Sequence, residues 1–382
     1  MIRISCSVKV HAFYLAEQLD KRAMLDKFYT IYHSGKNPIV AAFNKRKDPE
    51  HIRLHKIKTF PYLAALVKFR KDPFANNALF DGLVSNQLKR DKDYKALIGW
   101  SGMSLKAMRQ AKQDGKKVIL ERGSSHIRFQ FALLREEYKR WGYQFKGDER
   151  VSEQEEIEYE LADHVVIPSG FVERTFLAEG ISPKKLFKNN FGSNAYFSPT
   201  RPRREKFTIL YVGNLSIRKG LPYLFEALTQ LAIDPSQFDV WFVGSVSAEI
   251  RQLIPKFQKS NWKFLGHINH FDLADMISQC HVAVHPSLEE GMSMVIPQLM
   301  SCGVPVIATT NTGGEDIIVE GVNGYIVSIR SPQSIASRID TLFYNRTLLD
   351  SMHLQAIAYA KQFGSWDQYG ERYATFLNQI IH

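Results

Sequence analysis

Three side chains in this 382-residue chain are of the types that handle charged, hydroxyl-rich ligands: Arg218, Lys219 and Glu290. Arg218 and Lys219 close the stretch Tyr211-Val212-Gly213-Asn214-Leu215-Ser216-Ile217-Arg218-Lys219-Gly220, an apolar strand end that opens through a glycine into a helix. Two cations at such a place neutralise a diphosphate, and a residue without a Cβ lets backbone approach it. Glu290 lies in His285-Pro286-Ser287-Leu288-Glu289-Glu290-Gly291-Met292-Ser293-Met294-Val295-Ile296-Pro297-Gln298. There a carboxylate follows a strand, and the residues Gly291, Met292, Ser293 and Met294 start a helix whose amides suit phosphate and sugar oxygens. Apolar runs at 280–284 and 304–308 flank this loop and make it the turn of a βαβ unit.

Positioning such groups takes alternating strands and helices. In the second half, strands are expected at 208–212, 239–243, 262–265, 280–284, 304–308 and 324–327, with helices at 221–231, 248–257 and 271–279. In the first half, strands are expected at 2–8, 27–32, 52–58, 96–100, 117–120 and 165–168, with helices at 13–25, 105–114 and 153–163. A Ser-, Pro- and Arg-rich linker spans 192–204, and a helix from Ser365 closes the chain with Trp366, Tyr369, Tyr373, Phe376 and Leu377 near one face. The reading is α/β, with two doubly wound, Rossmann-like domains: 1–197 plus the closing helix 365–382, and 198–364.

Composition narrows the class. The apolar (45%) and charged (23%) fractions are those of a globular protein. No apolar run approaches the roughly 18 residues of a membrane span, and no secretory signal is expected. Cys6, Cys280 and Cys302 are scattered, without ligand spacing, and read as reduced thiols of a cytoplasmic protein. Residues 1–200 carry 35 Lys and Arg against 23 Asp and Glu, the remainder 15 against 16. A basic first half suits an anionic partner, and Lys36, Lys45, Arg46, Lys47, Arg53, Lys56, Lys58, Lys68, Arg70 and Lys71 concentrate it. The segment 60–71 adds aromatics and leucines to these cations, which suits either an anionic membrane surface or packing on the sheet. No nucleic-acid-binding pattern is present. Asp91-Lys92-Asp93 has a metal-binding spacing but lies in a charged stretch, and it reads as solvated surface.

The second half resembles family 4 glycosyltransferases of the two-domain GT-B fold. The carrying residues are Gly213 to Gly220 (a G-x5-K-G pattern), the loop His285 to Gln298 (the E-x7-E region), Cys302-Gly303-Val304-Pro305-Val306-Ile307 and Gly313-Gly314. Ala162-Asp163, Pro168-Ser169, the stretch 180–197 and the closing helix extend the likeness over roughly residues 115–382. The resemblance implies that Lys219, helped by Arg218, stabilises the diphosphate of a UDP- or GDP-sugar, and that Glu290 binds donor-sugar hydroxyls. It further implies that Gly213, Asn214 and residues 291–294 line the donor, with His267 and Ile268 beside the nucleobase. Gln298 stands where the family has a second glutamate that grips the ribose. An amide offers one acceptor oxygen and an NH2 where a carboxylate offers two acceptors.

The first domain is then expected to present the acceptor. Ile119-Leu120-Glu121-Arg122-Gly123-Ser124-Ser125-His126 and Trp100-Ser101-Gly102-Met103-Ser104 end strands with ligand-capable side chains. They nominate His126 for transition-state contact, and Ser101, Gly102 and Arg122 for the acceptor; an internal Glu121–Arg122 ion pair is the alternative. Ser5-Cys6-Ser7-Val8-Lys9-Val10-His11 lacks the glycines of many relatives, but Lys9 and His11 reach the same edge. The expected activity is retaining transfer of a sugar to a glycan or lipid-linked acceptor in cell-surface polysaccharide or lipopolysaccharide synthesis, without metal or cofactor. The departing phosphate is expected to help deprotonate the acceptor. An epimerase of the same fold, or a degenerate sugar-nucleotide-binding protein, are the alternatives.

Overall fold

The computed structural model describes residues 1–31, 52–193 and 196–381. Two all-parallel sheets organise them. The first contains β1 (Ile2–Ser5), β2 (Leu25–Thr30), β3 (Ile57–Thr59), β4 (Ala96–Trp100), β5 (Lys117–Glu121), β6 (His164–Ile167) and β7 (Leu186–Lys188), in the order β3-β2-β1-β4-β5-β6-β7. The second contains β8 (Phe207–Val212), β9 (Phe238–Val243), β10 (Trp262–Gly266), β11 (Val282–His285), β12 (Val306–Thr309) and β13 (Gly324–Val327), in the order β10-β9-β8-β11-β12-β13. Central strands are buried along their whole length, as β8 and β4 are, because helices cover both faces of a parallel sheet. Each order reverses once, between β1 and β4 and between β8 and β11. The C-terminal edge at such a reversal is where open α/β sheets hold ligands.

The chain crosses back at its end. In the helix Trp366–Ile380, Ser365 Oγ accepts from the amide of Gln368, whose side chain accepts in return from the Ser365 amide at 2.9 Å. This capping box satisfies two otherwise orphaned donors. Trp366, Tyr369, Tyr373, Phe376 and Leu377 are all buried in the first domain's core, against Phe13, Leu15 and Leu19 of the helix Ala12–Lys21. The expected apolar face and the return to the first domain are therefore present. The two crossings touch: a Cβ on Gly192 would overlap the backbone of Ser365 and Trp366.

Several expectations are corrected. The helix expected at 13–25 ends at Lys21, and Leu25 begins β2. The strand expected at 52–58 is a 3-10 turn, Leu54–Lys56, followed by the short β3. The 2–8 strand stops at Ser5, and the 27–32 strand runs Leu25–Thr30, with Tyr32 outside the described residues. Helices at Pro73–Arg90, Ile127–Arg140, Gly170–Ala178, Pro332–Tyr344 and Arg346–Phe363 were not anticipated. Within the basic cluster, Lys36, Lys45, Arg46 and Lys47 lie outside the described residues. Arg53 and Lys56 are spent on one buried carboxylate, Asp20, at 2.7 and 2.9 Å. Asp91 pairs with the buried Arg3 at 2.5 Å. Among the described residues no cluster of three His, Cys, Asp or Glu side chains is arranged around a metal position, and no helix is long and apolar enough to cross a membrane.

Candidate active site

The loops after β8 and β11 meet at the reversal of the second sheet. Gly220 has φ +69°, and a Cβ there would overlap the carbonyl of Pro286, so the approach requires glycine. The Leu288 amide donates to the Arg218 carbonyl at 2.9 Å, fixing the two loops together. Across this junction Lys219 Nζ lies 2.6 Å from Glu290 Oε1, and the same oxygen lies 2.6 Å from Nε2 of His285, at the end of β11. Burial pushes the Glu290 carboxyl upward, but the Lys219 ammonium and His285 outweigh it and hold the group well below the usual carboxylate range. The carboxylate is thus charged at neutral pH, and the Lys219 side chain is still 23% exposed.

Arg218 faces the other acid. Its Nη2 lies 2.7 Å from Oε2 of Glu289, which is fully buried. Glu289 also accepts from the hydroxyl of Ser124 (2.7 Å), the amide and hydroxyl of Ser125 (3.0 and 2.7 Å) and the side chain of Gln130 (2.8 Å). Burial raises this carboxyl, while Arg218 and the two serines bring it down to about 2. Glu289 therefore joins the donor-side loop to the first domain. The sequence reading quoted Glu289, Ser124 and Ser125 without giving them a role, and it missed Gln130; their partners are more than 150 residues away, so no local pattern connects them.

Residues 291–294 differ from expectation. The helix begins only at Val295. The Ser293 amide is bonded to the Thr312 carbonyl at 3.0 Å, and the Gly291 carbonyl accepts from Ser169 Oγ at 2.5 Å. Met292 is buried and Met294 half-buried against the first domain's core. Among the described residues, the amides of Gly291, Met292 and Met294 have no backbone partner, which leaves three of the four donors for a ligand. Gln298 is buried on the helix Val295–Ser301, and its side-chain amide makes no hydrogen bond among the described residues. Gly213 and Asn214 follow β8, the Asn214 side chain accepting from Ser245 Oγ at 2.9 Å. His267 is exposed after β10, and Ile268 packs on the second domain's core. All these residues share one sheet edge.

The first-domain candidates separate. His126 is a helix cap: its Nδ1 accepts from the Arg128 amide at 3.3 Å, and its ring packs on Tyr159 and Phe176. Burial, with Arg122 and Arg128 nearby, lowers its pKa to about 4, so it is a neutral, buried histidine. Arg122 is likewise internal. It pairs with Glu155 at 2.9 Å rather than with Glu121, and it binds the Ser125 carbonyl and Gln130, shaping the loop that meets Glu289. Ser101 Oγ accepts from Arg122 at 3.3 Å, and the Gly102 amide donates to the buried Glu158 at 2.6 Å. Lys9 lies half-buried with its ammonium 5.7 Å from the Phe13 ring. His11 is different: its Nε2 lies 3.1 Å from Oε2 of buried Glu121, at the sheet's C-terminal edge.

Two Rossmann-like domains with facing C-terminal edges, and cations beside a charged carboxylate on one of them, define the GT-B class of α/β fold. Residues 193–363 match the family model Glycosyl transferases group 1. An uncharacterised glycosyltransferase of Methanocaldococcus jannaschii is 28% identical over 42% of this chain and 44% of its own length. A capsular polysaccharide biosynthesis glycosyltransferase of Staphylococcus aureus, CapM, is 27% identical over 46% of this chain and 48% of its own. The chain thus matches about half the length of these relatives. Over the whole chain, the structure of Anabaena HepE in complex with UDP superposes with a TM-score of 0.71 at 18% identity, covering 99% of this chain and 100% of that one.

Proposed function

We propose that this protein moves a sugar, with retention, from a nucleotide-sugar donor to a glycan or lipid-linked acceptor, in the synthesis of cell-surface polysaccharide or lipopolysaccharide. The observation that carries the reading is the Lys219–Glu290 pair at the strand-order reversal of the second sheet. A diphosphate placed there takes over Lys219 and Arg218 as its charge partners, and Glu290 is freed to bind sugar hydroxyls. The protein then contributes position and charge stabilisation, and no metal or cofactor is invoked. HepE has been solved with UDP-glucose, which supports a uridine donor as the first to try. A thermal-shift series with UDP, GDP, ADP and their sugars tests the reading, since a ligand stabilises according to its concentration over its Kd. The cognate nucleotide raises Tm in the wild type and less in Lys219→Ala; no shift with any of them sinks the proposal.

Gln298→Glu is expected to lower the donor Michaelis constant, because a charge-assisted bond to the ribose is worth about 1–2 kcal/mol more than a neutral one. A large loss of turnover in that variant would instead give the amide a role of its own.

The place of work on this reading is the inner face of the cytoplasmic membrane. On the helix Pro61–Phe69, Tyr62 and Phe69 are 89% and 80% exposed, with Arg70 and Lys71 following. Apolar rings beside cations suit an anionic bilayer. Flotation with phosphatidylglycerol vesicles at low salt is expected to carry the wild type and to leave Tyr62→Ser/Phe69→Ser behind; equal behaviour of the two proteins removes this helix from membrane contact.

A further inference from the structure

We propose that a cleft at the N-terminal edge of the second sheet binds a phosphate monoester, with Arg346 and His281 as its principal donors. The cleft lies at the opposite edge of that sheet from Lys219 and Glu290, and it stands apart from the transferase reading. Residues 201–382 carry 15 Lys and Arg against 16 Asp and Glu, so no general basic excess explains a local one. Five of those cations nevertheless gather where the chain enters β8. Asp239 receives Arg204, Lys206 and Lys263 at 2.7, 2.9 and 3.4 Å, and Asp350 receives Arg203. Arg346 has no carboxylate within ion-pairing distance among the described residues. Its guanidinium instead lies 4.7 Å from the Phe207 ring and 4.9 Å from the Phe343 ring. Burial and the neighbouring Arg203 lower its pKa, and Asp350 offsets this only in part.

His281 supplies an independent observation. It stands at the foot of β11 and is 6% exposed. Its Nδ1 accepts from the Thr208 amide at 3.1 Å, so the neutral ring carries its proton on Nε2. Burial, with Arg346, Arg203 and Arg204 nearby, lowers its pKa to about 4, and the ring is neutral at pH 7. The Nε2–H donor makes no hydrogen bond among the described residues, yet it is not sealed from solvent. A nearly buried donor left unpaired is costly until an acceptor reaches it. His281, Arg203, Arg204 and Arg346 line one cleft of about 340 Å³, together with Glu205 and Asp350. That volume falls in the range of small-molecule sites, about 300–1,000 Å³. Arg346 also opens the 18-residue helix Arg346–Phe363, whose positive end adds to the same field.

Charge selects the ligand. The cations Arg203, Arg204, Lys206, Lys263 and Arg346 face the acids Glu205, Asp239 and Asp350, an excess of two positive charges. A phosphate monoester carries about −1.5 to −2 near pH 7 and presents three acceptor oxygens. In the cleft those oxygens accept from Nε2–H of His281 and from the Arg346 guanidinium, while Arg203 adds charge and keeps Asp350. Guanidinium groups suit phosphate geometry better than ammonium groups do, and all three cations lining the cleft are arginines. A ligand at this edge does not compete with a diphosphate beside Lys219.

The test follows Tm of the full chain with glucose 1-phosphate, against sodium chloride of equal ionic strength. The ester is expected to raise Tm beyond the salt control, both in the wild type and in Lys219→Ala. Arg346→Met, which keeps an apolar stem on Phe207 and Phe343, is expected to weaken binding about tenfold or more, the cost of one charge-assisted hydrogen bond. Arg203→Ala, at a side chain 28% exposed, is expected to weaken binding in the same direction and serves if the first variant does not fold. Sedimentation with phosphatidic-acid vesicles that depends on Arg346 or Arg203, without a shift by the soluble ester, keeps the phosphate site and makes its source a lipid headgroup. A shift lost in Lys219→Ala and kept in the arginine variants puts the anion in the donor site and overturns the proposal. So does a wild type that responds to the ester no more than to chloride and binds the vesicles no better than the arginine variants do.

Discussion

Replacing Lys219 by alanine is expected to lower turnover of the nucleotide-sugar donor about a hundred- to a thousandfold, the usual cost of removing one preorganised charge from a developing oxyanion. On the proposed reading, negative charge accumulates on the leaving diphosphate as the bond to the sugar lengthens, and the Lys219 ammonium already sits beside the reversal of the second sheet. It needs no reorganisation to receive that charge. Arg218 is a weaker substitute, because its guanidinium is engaged by fully buried Glu289 and by the Glu289 carbonyl at 3.2 Å. Folding should survive the change: Lys219 is partly exposed, and Glu290 keeps His285 at 2.6 Å. Lys219→Arg should recover part of the rate, since charge rather than shape is at issue. Steady-state turnover, read beside Tm, decides it; a folded Lys219→Ala protein with wild-type turnover would remove Lys219 from the chemistry.

The pairing of Lys219 with Glu290 also explains how a carboxylate can serve sugar hydroxyls. An acid in this buried position would take up a proton if left alone. The two cationic-capable neighbours keep it an acceptor on both oxygens. On the proposed reading, when the diphosphate draws Lys219 away, His285 remains at 2.6 Å to hold the charge in place.

The second domain was the more legible half, for a physical reason. Its strands are short apolar runs, because helices bury both faces, and Phe207–Val212 and Phe238–Val243 read as strands from composition alone. The first domain hides its helices behind buried polar groups. Pro73–Arg90 was missed because its inward face carries Asn76, Asp81 and Ser85, and Asp81 caps the next helix through the amides of Lys106 and Ala107. In Glu149–Leu161 the inward acids Glu155 and Glu158 hold Arg122 and the amides of Gly102 and Ser104. This helix was expected at 153–163, but its inward acids look solvated in sequence. His126 followed from the same blindness: without the helix Ile127–Arg140, its capping role was invisible, and a loop histidine near a strand end resembled a catalytic one. Lys219 and Glu290 could be nominated from their own loops. Glu289 could not, because its role depends on Ser124 and Ser125 in the other domain.

Glu289→Gln should loosen the two domains and cost about 2–3 kcal/mol, since a buried charged acceptor of several hydrogen bonds becomes neutral while the Arg218 left behind is 39% exposed and screened by solvent. Other links would remain at the seam: Ser169 to the Gly291 carbonyl, Asn190 to Asp316 at 2.6 Å, and Glu137 to Tyr223 and Arg330 at 2.5 and 2.6 Å. Between the donor-side cations and the loop at 123–125 the long Arg218–Ser124 hydrogen bond of 3.4 Å would remain, so the loss should weaken the closure at that point. Acid should mimic the substitution. The carboxyl of Glu289 titrates at about 2 in the folded chain against 4.5 ordinarily. A folded value depressed in this way contributes stability above the ordinary value, and the contribution is lost as pH falls from about 4.5 toward 2. The shift corresponds to about 3 kcal/mol in order of magnitude, comparable to the mutational cost. The gap in Tm between wild type and Glu289→Gln should therefore be full at pH 7 and shrink as pH falls from 4.5 to 2. Small-angle scattering at pH 7 should show a larger radius of gyration for the variant. Identical radii and a Tm gap independent of pH would mean that Glu289 fills space at the seam without holding it closed.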